Sequence, residues 1–135
     1  MKIFITGGSG FIGSHLADQL LARGDQVRVI DNYETGRRDN LTTHPNLQVI
    51  EDTICNEERV HDLVQSFKPD LVVHAAASYK DPNNWMEDSK TNVTGTAIVC
   101  QAMKEANIER IIYFQTALCY GLQPLEQPIT LEHPI

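Results

Sequence analysis

Cysteine is scarce in this chain and carries no pattern. Cys55, Cys100 and Cys119 lie far apart, with no C-x-x-C pair and no histidine at metal-ligand spacing, so no metal site is expected. An odd, unpatterned set suits reduced thiols in a cytoplasmic protein, each buried as a small apolar group. No apolar run approaches the ~20 residues of a membrane span. The N-terminus passes at once into a strand, which leaves no room for a signal peptide. Positive charge is also in deficit: 11 Lys and Arg face 18 Asp and Glu, a formal net charge of −7. That diffuse field disfavours nucleic acid and an anionic membrane surface, although local dipoles still accommodate a phosphorylated ligand. Repeats, low-complexity tracts and linkers are absent. The 135 residues, 41% hydrophobic and 21% charged, therefore read as one globular domain.

Glycine is placed with more purpose. Thr6-Gly7-Gly8-Ser9-Gly10-Phe11-Ile12-Gly13 follows the apolar run Ile3-Phe4-Ile5 and spaces its glycines as G-x-x-G-x-x-G. The run before it reads as a buried strand, and Phe11 to Arg23 as a helix. Strand, glycine turn and helix together form a place where backbone N–H groups and the positive helix end meet a diphosphate.

The chain continues in alternation. Ile12, Leu16, Leu20 and Leu21 give the first helix an apolar stripe, and Gly24 stands where a left-handed cap is expected. Residues 26–30 read as a second strand closing at Asp31, which completes a βαβ unit with a right-handed crossover. Residues 32–45 read as a polar loop and 47–50 as a third strand. Asn56 is placed to cap a helix whose buried face carries Val60, Leu63, Val64 and Phe67. Residues 71–76 form a continuous apolar run suited to a doubly covered strand. A loose stretch over 78–84 precedes a long helix over 85–107, then a fifth strand over 110–115. Gly121, Pro124, Pro128 and Pro134 mark irregular backbone beyond Thr116. Such alternation predicts an α/β fold with a doubly wound parallel sheet.

Several residues fall on the rim where ligands of open α/β sheets sit, outside the carboxyl ends of the strands. Asp31 stands 18 residues beyond Gly13, near the spacing of a carboxylate that accepts from the adenosine ribose. It favours NAD over NADP, with Arg37 and Arg38 as the counter-argument, since guanidinium groups bind phosphate. Asp52, with Thr53 and Ile54, is placed either to meet an adenine or to serve as an ordinary loop aspartate. Ala75, Ala76 and Ala77 either leave room for a flat ligand or simply pack helix on sheet. His74 reads as a hydrogen-bonded core histidine. Thr116, at the end of the fifth strand, offers a hydroxyl either to a substrate oxygen or to strand-end capping.

In combination these segments resemble the extended short-chain dehydrogenase/reductase family, in its nucleotide-sugar epimerase, dehydratase and decarboxylase branch. The similarity covers Lys2 to about Gly121. Thr6 to Leu16 is similar to that family's cofactor loop, which implies contacts from Gly7, Gly10, Phe11, Ile12 and Gly13. Asp31-Asn32-Tyr33-Glu34-Thr35-Gly36-Arg37 resembles its D-N-x-x-T-G-[RK] segment, adding Asn32, Thr35 and Gly36. Asp52-Thr53-Ile54 and Val73-His74-Ala75-Ala76 resemble its adenine pair and its H-x-A strand end. Thr91 to Thr96 resembles N-V-x-G-T, whose Asn92 supports the site through backbone or water contacts. Gln115 to Gly121 resembles S-S-x-x-x-Y-G, which puts Thr116 at the catalytic serine or threonine, with Gln115 as a departure.

The resemblance implies a Rossmann-type sheet in the order 3-2-1-4-5, NAD as cofactor, a nucleotide-sugar substrate and 4-epimerisation through a transient 4-keto sugar. Dehydratase, decarboxylase and reductase activities stay open within the family, as does a non-catalytic NAD-binding module. A homodimer through the helix near 85–107 is also implied. The family's Tyr-x-x-x-Lys pair is not present: Tyr113 and Tyr120 are followed four residues on by Ala117 and Pro124. Leu131 to Ile135 reads like the loop that precedes the tyrosine helix. Residues 1–135 are therefore expected to be the N-terminal, NAD-binding portion of a longer enzyme, inactive alone, with its substrate lobe elsewhere.

Overall fold

The computed structural model describes residues 1–121, 123 and 125–134, and of Ala117 and Leu118 the backbone only. Pro124 and Ile135 lie outside the described residues. Strands β1 (Lys2–Thr6), β2 (Gln26–Asp31), β3 (Leu47–Glu51), β4 (Leu71–His74) and β5 (Ile111–Tyr113) form one sheet. Every pairing is parallel and the order is β3-β2-β1-β4-β5, as expected. The chain builds outward from β1 to β3, then returns to the other side of β1. Between β1 and β4 the direction of winding reverses, and that is where such sheets open a crevice.

Side chains of β1 alternate between two cores, as the strand period of two requires. Ile3 and Ile5 meet Ala17, Leu20 and Leu21 of α1 (Phe11–Ala22) on one face. Phe4 meets Val60, Leu63 and Val64 of α2 (Glu57–Phe67), with Val99, Ala102 and Met103 of α4 (Thr96–Glu105), on the other. Gly24, at φ +91, follows the C-cap of α1, and Lys68, at φ 48, ends α2. Among the described residues no helix is long and apolar enough to cross a membrane.

At the start of α2 the Asn56 side chain accepts from the Arg59 N–H at 3.2 Å and donates to Asp52 at 3.0 Å. Asn56→Ala should therefore lower unfolding free energy by about 1 kcal/mol, measured by urea titration. Equal midpoints would contradict the cap.

Three expectations are corrected. The helix over 85–107 is helical only to Glu105. It comprises α3 (Trp85–Asp88), a π-helix over Ser89–Gly95 and α4, and Asn107 turns left-handed at φ 56. The wide π turn carries Thr91 and Asn92, whose side chains bond outside the turn, a feature that apolar periodicity does not register. The fourth and fifth strands are shorter than their apolar runs. The Ala76 N–H is taken by the Thr6 hydroxyl, so β4 stops at His74 and offers β5 only three register partners. Cys100 is exposed on α4 and Cys119 is partly exposed, so neither is a core residue, whereas Cys55 is partly buried and packs against the core.

Candidate functional site

The turn after β1 is tied down by backbone. The Gly7 N–H donates to the Ile30 carbonyl at 2.9 Å and the Gly10 N–H to the Gly7 carbonyl at 3.2 Å. The first bond of α1 runs from the Ser14 N–H to the Gly10 carbonyl at 3.0 Å. The N–H groups of Phe11, Ile12 and Gly13 therefore have no acceptor within the helix, and they stand at its positive end. The three glycines are not equivalent. Gly7, at φ +69, has the Ala76 backbone 2.7 Å from where a Cβ would stand. A Cβ on Gly13 would lie 2.4 Å from the Gly7 carbonyl oxygen. Gly10 has ordinary extended backbone, at φ −73 and ψ 177, and its Cβ would meet only the Gly7 oxygen, at 3.3 Å. The fold itself excludes side chains at Gly7 and Gly13. At Gly10 it nearly tolerates one.

A cavity of about 200 Å³ opens over this turn at the carboxyl ends of the strands. Its walls include Gly7, Gly10, Phe11, Ile12, Gly13, Asp31, Asn32, Thr35, Asp52, Thr53, Ala75 and Ala76. Asp31 is 7% exposed, and its carboxylate accepts from the Ser9 N–H at 2.8 Å and the Tyr33 N–H at 2.8 Å. Each oxygen keeps acceptor capacity, because a carboxylate offers about four lone-pair sites. The Asp52 carboxylate accepts from the Thr53 N–H and the Asn56 side-chain amide.

Gly36, Asn92 and Thr116 do not line the cavity. Gly36 packs behind Asp31, where a Cβ would lie 2.9 Å from Oδ1. Asn92 reaches the site through one intermediary: its Oδ1 accepts from the Ser78 N–H and its Nδ2 donates to the Ser78 carbonyl, both at 2.8 Å. Ser78 is itself a wall residue. Thr116 lies three residues beyond β5, and its carbonyl accepts from the Cys119 N–H at 3.3 Å, where the last short helical turn begins. The strand-end position expected for it is occupied instead by Tyr113, because β4 supplies no further partner. The walls also contain Glu34, Tyr79, Lys80, Thr91 and Phe114. Tyr79 and Lys80 fall in the loose stretch after β4, where the rule of ligands at strand carboxyl ends was the available signal.

A buried chain of side chains stands behind the cavity. The Thr6 hydroxyl accepts from the Ala76 N–H and lies 2.6 Å from His74 Nδ1. His74 Nε2 lies 2.9 Å from Thr96 Oγ1, which donates to the Asn92 carbonyl at 2.8 Å. One proton arrangement satisfies all of it: His74 is neutral, with the hydrogen on Nε2, and accepts from Thr6 at Nδ1. Burial pushes the His74 imidazole down to about 4, in keeping with that neutral form. The expectation of a hydrogen-bonded core histidine holds, since His74 is 1% exposed.

The sequence model of the NAD dependent epimerase/dehydratase family matches residues 3–134. The chain belongs to this family. It is 36% identical over 132 residues to a UDP-glucose 4-epimerase of Klebsiella pneumoniae, covering 92% of this chain and 95% of that one. It is 35% identical over 136 residues to UDP-glucuronic acid decarboxylase 4 of Arabidopsis thaliana, covering 95% of this chain but 28% of that enzyme. Among solved structures, the Bordetella bronchiseptica enzyme WbmH in complex with NAD+ superposes with a TM-score of 0.91 at 53% identity, over 98% of this chain and 45% of WbmH. This member of the family thus spans less than half of WbmH and less than a third of the Arabidopsis decarboxylase.

Proposed function

We propose that these residues form the NAD-binding portion of a nucleotide-sugar 4-epimerase. The observation that carries this reading is the fit of the cavity to a dinucleotide: an open approach at Gly10, three helix-end N–H groups and the Asp31 carboxylate share one rim. In this reading the N–H groups of Phe11, Ile12 and Gly13 hold the diphosphate and Asp31 accepts from the ribose hydroxyls. Asp52 and Thr53 flank the adenine, while Ala75 and Ala76 leave room for the flat rings. Gly7, Asn32, Thr35 and Gly36 shape the pocket, and Asn92 sets its floor through Ser78. Held there, NAD would supply a reversible hydride acceptor for the sugar carbon.

Thr116 steadies the sugar oxygen that becomes the 4-keto group, as a positioned hydroxyl does where charge develops. The proton passes to a tyrosine of a Tyr-x-x-x-Lys pair, which residues 1–135 do not contain. The full protein is read as a cytoplasmic homodimer, packed through the helix that begins at Trp85.

The test is to purify the intact protein, assay it for bound NAD and offer it a panel of UDP-sugars. Interconversion of 4-epimers supports the reading; no turnover of any of them, with NAD bound, favours a non-catalytic NAD-binding module. Similarity to a UDP-glucuronic acid decarboxylase gives a second reading within the family, decarboxylation, which the same panel reads as loss of carbon dioxide. Dehydratase and reductase activities would appear as loss of water or net consumption of NADH. For Thr116, Thr116→Ser should retain most of kcat and Thr116→Val should lose about a hundredfold to a thousandfold, with NAD affinity unchanged. Full activity in Thr116→Val would remove Thr116 from the chemistry.

A further inference from the structure

We infer that discrimination against a 2′-phosphorylated dinucleotide rests on Glu51 and Asp39 as well as on Asp31, because these two acids hold Arg38 and Arg37 outside the cavity. This rests on the NAD reading given above. Arginine is the side chain whose planar fork best matches a phosphate. Two of them directly follow the segment whose Asn32, Glu34 and Thr35 line the cavity, yet neither reaches its walls.

Both are engaged elsewhere. Arg37 grips Asp39 with two parallel bonds, Nε to Oδ1 at 2.9 Å and Nη2 to Oδ2 at 2.7 Å. Arg38 donates to Glu51, and its guanidinium lies 4.3 Å from the centroid of the Tyr33 ring. Tyr33 takes a left-handed backbone at φ 58 and donates its own N–H to Asp31. Glu51 is the register partner of Asp31 across β2 and β3. The Arg38–Glu51 pair thus stands one strand away from the carboxylate assigned to the ribose.

Exposed ion pairs of this kind contribute little to stability, because water and salt screen them. Their larger effect here is on local charge. With Asp39 and Glu51 in place, both guanidinium groups are neutralised beside the cavity. Without them, two cations able to grip a phosphate stand beside the cavity, opposed by Asp31 and by the other wall carboxylates, Glu34 and Asp52.

The experiment is calorimetric titration of NAD and of NADP into the intact, nucleotide-stripped protein, for the wild type, Asp39→Ala, Glu51→Thr and the double variant. The double variant should bind NADP about tenfold tighter relative to NAD, with NAD affinity itself within about twofold of the wild type. Added salt should erode the gain, since the released charges are exposed. Adding Arg37→Gln and Arg38→Gln should cancel it. An unchanged NADP-to-NAD ratio with normal NAD binding overturns this inference alone, and so does a gain that survives loss of both arginines. A wild type that binds neither dinucleotide overturns the NAD reading on which it stands.

Discussion

Gly10→Val is expected to abolish NAD binding, weakening it at least about a hundredfold, while the protein stays folded. The glycine turn contains one position where ligand and fold make separable demands. Gly7 adopts φ +69 against the backbone of Ala76, and Gly13 has the Gly7 carbonyl oxygen 2.4 Å from its would-be Cβ. Any side chain at either place collides with rigid backbone, so loss of binding there would be indistinguishable from loss of structure. Gly10 has φ −73 and ψ 177, open to every residue, and one neighbour at 3.3 Å that needs to give by a few tenths of an ångström. The protein side of Gly10 is nearly clear and the other side is cavity. As the N-cap of α1 it lacks a side-chain bond, so replacing it by an apolar residue costs about 1 kcal/mol at most. The series Gly10→Ala, Gly10→Val and Gly13→Ala separates the two demands. Titration of NAD should show graded loss across the Gly10 variants, with thermal unfolding close to wild type. Gly13→Ala should lose both. Wild-type NAD affinity in Gly10→Val would remove the diphosphate from this turn.

Acidification should destabilise the protein through His74 in a defined window. The imidazole is held near pKa 4 in the fold, against 6.5 in an unfolded chain. The folded state therefore favours the neutral ring. The stability linked to it is fully present above about pH 6.5 and is lost progressively as pH falls from 6.5 towards 4. Between pH 7 and pH 5 the loss from this one group is roughly 2 kcal/mol, an order-of-magnitude figure that follows from the shift. The geometry supplies the cause beyond burial: a proton on Nδ1 would face the Thr6 hydroxyl, which then has to give up donating there while it still accepts from Ala76. Urea unfolding at pH 7 and pH 5 measures the slope. His74→Asn should be less stable at pH 7 yet show a flatter dependence. Equal slopes in wild type and variant would mean that another group titrates in this window. Because the same Thr6 hydroxyl holds the Ala76 N–H, acid should also loosen the start of the loop after β4 that lines the cavity.

Local pattern carried most of the fold. Alternating apolar runs and apolar stripes place the five strands and the helices between them, because strand period and helix period are properties of neighbouring residues. The glycine spacing and the position of Asp31 are likewise local, and both fall on the rim of the cavity. Where the reading stopped short, the missing partner was distant in sequence. The ends of β4 and β5 depend on a Thr6 hydroxyl 70 residues from the Ala76 N–H it accepts. Asn92 works through Ser78, 14 residues earlier, and Arg38 is taken up by Glu51, 13 residues later.

By itself, then, the sequence determined the order of elements, the glycine turn at the start of α1 and the carboxylate at the end of β2. Each of these is encoded within a few residues, by periodicity, by lack of a Cβ or by spacing along one βαβ unit. The tertiary structure alone decided which glycine the fold itself does not require, which tautomer His74 holds and where Arg37 and Arg38 spend their charge. Those outcomes turn on distances between segments that only packing brings together, and no local pattern contains them.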